Sequence, residues 1–88
     1  MNNYQKYEIR QLDCWMYDGE WTENTSYHVG TMTTRAQNIR RAFAAWMRTH
    51  EKIYFMRNQT LIEFDGDCYT IIDKKSKEPM FIAIPLYE

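Results

Sequence analysis

The sequence predicts an α+β domain: one helix packed on an antiparallel sheet of four to five strands, in two layers ordered β-β-α-β-β(-β). Three observations carry this. Short alternating apolar segments, punctuated by Asp-Gly turn signals, occupy both ends of the chain. One central segment, residues 34–50, switches to helical spacing. A chain of 88 residues makes a single domain, 1–88, with a core large enough for one helix over one sheet.

The elements follow in chain order. Residues 4–17 predict a strand in which Tyr7 and Ile9 share one parity and Leu12, Cys14 and Met16 the other. The switch near Arg10 and Gln11 calls for a bulge or for packing on both faces. Asp18-Gly19-Glu20 signals a turn. A second strand falls within residues 21–32, with its best alternation at Tyr27, Val29 and Thr31. The polar stretch 22–26 fits a wide hairpin loop as well as it fits a strand.

Thr34-Arg35-Ala36-Gln37 matches a capping box, with Thr34 as N-cap and Gln37 reaching back to its amide. Ala36, Ile39, Phe43, Trp46 and Met47 then fall on one helical face, and Arg40, Arg41, Ala44 and Arg48 around the other. His50 comes in the last turn, where the helix dipole favours a cation, so it suits a capping or packing role. Beyond the helix, residues 53–56, 60–64, 68–73 and 80–84 predict strands. They are separated by turns at Arg57-Asn58-Gln59, Asp65-Gly66-Asp67 and residues 74–79, and Pro79 and Pro85 bracket the last strand.

This plan leaves one sheet face without a helix. A helix of about 16 residues is roughly 24 Å long and covers only one face. The other face must meet water, a second protomer or a partner. If Leu12, Cys14 and Met16 turn toward the helix, Trp15 and Tyr17 face away. Tyr69 and Ile71 join them if Cys68, Thr70 and Ile72 point inward. Such an exposed aromatic patch marks an interface.

Several chemistries find no support in the residues. The longest apolar runs are far shorter than a membrane span, and the N-terminus lacks an apolar signal core, so the expectation is a cytoplasmic protein with no membrane partner. Cys14 and Cys68 lie far apart without Cys-x-x-Cys spacing, and His28 and His50 form no ligand pair, so neither metal nor cofactor is expected. Asp65-Gly66-Asp67 is better explained as a turn than as a calcium loop. Nucleophile and phosphate-loop motifs are missing, and the expectation is a protein that is not an enzyme.

Charge is segregated although the formal net is only −1. Residues 1–34 carry Lys6 and Arg10 against Glu8, Asp13, Asp18, Glu20 and Glu23. Residues 35–57 reverse this, with Arg35, Arg40, Arg41, Arg48, Lys52 and Arg57 against Glu51. The last third is acidic again. An arginine face in acidic surroundings suits a partner of mixed charge better than duplex nucleic acid.

The segments Tyr7-Glu8-Ile9-Arg10, Leu12-Asp13-Cys14-Trp15, Trp21-Thr22, Ser26-Tyr27-His28-Val29-Gly30-Thr31, Phe64-Asp65-Gly66-Asp67 and Glu78-Pro79-Met80 give the chain a general likeness to a known group. It resembles small uncharacterised proteins of phages and mobile elements in Gram-positive bacteria. That resemblance covers most of the chain but transfers no functional residue. It implies a non-catalytic binder, since some such proteins block host defences by binding a protein, a nucleic acid or a signalling nucleotide. The leading expectation is therefore a protein partner, a host or defence protein occluded by Trp15, Tyr17 and Trp21 as aromatic anchors, with Arg41 and Arg48 steering. The alternative is a nucleic-acid or nucleotide-binding module that uses aromatic stacking with Arg40, Arg41 and Arg48. A homodimer through the open sheet face is the third.

Overall fold

The computed structural model describes residues 4–50 and 59–87. The strand expected at 53–56 and the turn at Arg57-Asn58 lie outside those residues. The described chain is α+β, with one helix packed against a five-stranded antiparallel sheet.

Strands β1 (Tyr4–Tyr17) and β2 (Glu20–Arg35) form a long hairpin. Asp18 and Gly19 both take positive φ, 51° and 79°, as a two-residue type I′ turn requires. That tight turn sets the register, so the polar 22–26 stretch is strand rather than a wide loop: Thr22 pairs with Trp15 and Ser26 with Leu12. Two register shifts leave Val29 and Asn24 as extra residues on β2. The irregularity anticipated in β1 is thus absorbed by its partner, and β1 alternates without interruption.

After the helix come β3 (Thr60–Asp65), β4 (Cys68–Asp73) and β5 (Pro79–Pro85). The sheet order is β2-β1-β5-β4-β3, so the last strand fits between the first hairpin and the second. Gly66, at φ 68°, opens a two-residue turn that aligns Asp65 with Cys68 and Phe64 with Tyr69. The Asp73 carboxylate organises the β4–β5 loop, accepting hydrogen bonds from the Ser76 amide at 2.7 Å and its hydroxyl at 2.8 Å. Those bonds hold the Asp73 carboxyl below its ordinary pKa.

The helix begins later than the capping box predicts. Strand β2 runs on to Arg35, a 3-10 turn covers Ala36–Asn38, and α1 spans Ile39–His50. Thr34 does not cap it: its side chain is buried on the core side of β2, and Arg35 occupies the cap position in extended geometry without a side-chain bond. The Thr33-Thr34 pair is β-branched and continues the strand more readily than it starts a helix. Ala36, expected on the buried face, is exposed.

Ile39, Phe43 and Met47, spaced four apart, form one buried stripe on α1, supported by Ala42 and Trp46. They meet Tyr7 and Ile9 of β1, Met32 of β2, Ile71 of β4, and Phe81 and Ala83 of β5. The pairs Tyr7–Met32, Ile9–Ala83 and Ile71–Phe81 stand side by side in the register, so these residues share one sheet face. This reverses the expected facing of the sheet. Leu12 and Cys14 belong to the open face, while Tyr69 and Ile71 lie on the helix side. The bulky Tyr7 and Ile9 pair claims the helix, and unbroken alternation along β1 then forces its even residues outward. Among the described residues, no helix is long and apolar enough to cross a membrane.

Candidate binding surfaces

Strand β5 pairs with β1 only over residues 7–11. Beyond that the β1–β2 hairpin runs on as an arm. Trp15 and Tyr17 share the parity of Ile9, so they lie on the helix-bearing face, with Trp15 about 20 Å along the strand from Ile9. They stay 58% and 68% exposed, and their rings stack with centroids 6.5 Å apart at 27°. Met16, exposed as well, points to the other side. Between Gln11 and Thr34 there are four carboxylates and no lysine or arginine. The arm is aromatic and acidic.

Trp21 does not join that pair. It is paired with Met16 on the open face, and its indole N–H donates to the Ser76 carbonyl at 2.8 Å, tying the arm to the β4–β5 loop. It also lines an open-face cavity of about 450 Å³ with Leu12, Cys14, Ile72 and Ile82, rimmed by Glu23 and Glu63. Burial, and then the nearby Glu23, Glu78 and Asp13 carboxylates, push the Cys14 thiol up; burial, Asp67 and Asp65 do the same to Cys68. Both cysteines are held as thiols, which suits packing and opposes nucleophilic attack.

At the other end of the open face, Glu8 Oε2 accepts from Arg10 Nη1 at 2.9 Å and lies 2.7 Å from His28 Nδ1. Arg10 also donates to the hydroxyl and carbonyl of Ser26, at 2.8 and 3.0 Å. The bond with His28, followed by the bond and charge of Arg10, outweighs burial and lowers the Glu8 pKa. A depressed carboxyl contributes stability that is full above its unfolded pKa and lost as pH falls through the folded one. We expect Tm to fall on acidification below the ordinary carboxylate range, and Glu8→Gln to lower Tm near neutrality while flattening that fall. A variant curve parallel to the wild type would place the acid sensitivity elsewhere.

Arg40, Arg41 and Arg48 sit together, as the helical spacing implies, but far from the aromatic arm. With Ala44 they overhang Thr60, Leu61 and Ile62 of edge strand β3, enclosing a groove of about 350 Å³. The Arg40 guanidinium donates to the Ile62 carbonyl and lies 5.8 Å from the Tyr69 ring centroid.

A further pocket lies outside the residues that the sequence singles out. Tyr4, Tyr7, Phe64, Tyr69 and Tyr87 surround a pocket of about 520 Å³ between the start of the helix, the β3–β4 turn and the chain after β5. Phe64 and Tyr69 approach to 4.9 Å, and Tyr7 meets Tyr69 edge-on at 6.4 Å. Part of this was legible: a two-residue Gly66-Asp67 turn places Phe64 opposite Tyr69. The rest required knowing that β5 pairs with β1. Among the described residues, no three of His, Cys, Asp and Glu gather as a metal ion would need.

No protein-family model matches the chain, and comparison with curated proteins and with solved structures gave no match.

Proposed function

We propose that this chain is a non-catalytic binding protein that engages a partner protein through the β1–β2 arm. The observation that carries the reading is the stacked, exposed Trp15–Tyr17 pair on an arm with carboxylates and no lysine or arginine. Two large rings held in one arrangement lose little entropy on binding and bury much area, the profile of an interface hot spot. The acidic flanks select a partner whose apolar cleft is ringed by Lys or Arg. Binding would act by covering that surface in the cytoplasm, the mode implied by the resemblance to phage and mobile-element proteins that block host defences. Trp21 serves the arm from behind, through its bond to Ser76, rather than as a third anchor.

The test is capture from nuclease-treated bacterial lysate by wild type, by the Trp15→Ala/Tyr17→Ala variant and by the Arg41→Ala/Arg48→Ala variant. A hot-spot loss of about 2 kcal/mol per ring weakens binding by roughly 30-fold or more. We expect one protein retained by wild type and by the arginine variant, lost from the aromatic variant, with the aromatic variant's Tm within a few degrees of wild type. Equal capture by all three overturns the reading. A dimer that dissociates in the aromatic variant, seen by light scattering, would make the partner a second copy.

A further inference from the structure

We propose a second site, independent of the arm: the aromatic pocket beside the 3-10 turn before α1 takes a nucleobase, and the arginine row of α1 takes its phosphates. Three observations converge. The pocket volume of about 520 Å³ suits a flat ring system, and five aromatic side chains contribute to its walls. Tyr4, Phe64 and Tyr87 are more than half exposed there, leaving ring surface open for stacking. Arg40 also links the pocket to the arginine groove: its guanidinium lies 5.8 Å from the centroid of the Tyr69 ring, and it lines the groove with Arg41 and Arg48.

The charges choose the ligand. Arg35 sits 5.1 Å from the Tyr4 ring centroid, so an arginine stands against each of two rings that line the pocket. With Arg35 and Arg40 already drawn to two of its rings, the pocket disfavours an alkylated ammonium. A base bearing phosphate gains from the same cations. Asp67 also lines the pocket, and its carboxylate offers an acceptor to a base amino group. A duplex keeps its bases stacked and out of reach, so the source is a single strand or a free nucleotide.

The experiment titrates fluorescent single-stranded DNA and RNA hexamers, a blunt duplex and mononucleotides against the full chain. If Arg40, Arg41 and Arg48 each neutralise one phosphate, single-strand affinity falls about 20-fold between roughly 50 and 200 mM salt. Phe64→Ala/Tyr87→Ala, both at exposed positions, should lose about tenfold or more with Tm preserved. Arg41→Ala/Arg48→Ala should keep the base preference and flatten the salt dependence. Trp15→Ala/Tyr17→Ala should bind like wild type, which separates this site from the arm. Hexamers binding well above mononucleotides identify a single strand as the ligand, and equal affinities identify a nucleotide; both support the site. Absence of saturable binding by any probe at low salt overturns it, as does binding indifferent to Phe64 and Tyr87.

Discussion

Phe43→Ala is expected to cost about 3–5 kcal/mol, since that is the usual penalty for emptying a closed aromatic site in a core. Phe43 is fully buried at the middle of the Ile39–Phe43–Met47 stripe, where α1 meets the sheet. A domain of this size has only about 4–13 kcal/mol of stability in all. The variant should therefore melt more than about 12 °C lower and stand partly unfolded at physiological temperature. Arg41→Ala, on the exposed side of the same helix, should stay within about 0.5 kcal/mol. Thermal melts followed by circular dichroism measure both. A Phe43 variant within about 1 kcal/mol of wild type would mean that the helix is not seated on the sheet as described.

That contrast between Phe43 and Arg41 was readable from spacing alone, because a helix with a single apolar stripe has one way to sit on a sheet. The Asp18-Gly19 and Gly66-Asp67 turns were equally legible, since positive φ at Asp18, Gly19 and Gly66 restricts the residue choice. What failed was the facing of the sheet. Leu12, Cys14 and Met16 are as apolar as Tyr7 and Ile9, and periodicity has no means to rank two apolar parities on one strand. The outcome depended on which half of β1 lay under a helix shorter than predicted. Thr34 misled for a related reason: threonine caps helices and also ends strands, and burial on the core side chose the strand.

The candidate surfaces divide along the same line. Arg40, Arg41 and Arg48 came together because one helix carries them. Trp15 and Tyr17 came together because two residues apart on one strand share a face. Trp21 was grouped with them by composition, and the sheet separates it from them. The Tyr4, Tyr7 and Tyr87 side of the aromatic pocket depends on β5 inserting beside β1, a pairing between opposite ends of the chain that local signals do not encode.

Gly30→Ala tests the tightest contact under the helix. The Trp46 ring rests on Gly30 so closely that its six-membered edge occupies the space of an added Cβ. The ring has little freedom to retreat. It stacks on His50 with centroids 4.2 Å apart at 13°, and His50 Nδ1 lies 3.0 Å from the Trp46 carbonyl. Gly30 also pairs with Ile9, a fully buried residue, beside the Val29 bulge, so the strand is held from below. Two effects oppose one another. Alanine removes unfolded-state freedom, a gain of about 0.4–1 kcal/mol where the backbone accepts it, and Gly30 needs no positive φ. Overpacking costs about 1–3 kcal/mol. The steric term wins, and the melting temperature should fall by several degrees, at about 4–8 °C per kcal/mol. The decisive measurement is the double variant. Trp46→Phe alone should destabilise by leaving Gly30 uncovered, yet in the Gly30→Ala background the smaller ring makes room for the methyl. The two costs should therefore sum to more than the double variant loses, with a coupling of at least 0.5 kcal/mol, roughly the least seen between residues in contact. Strict additivity would show that Trp46 does not sit on Gly30 in solution.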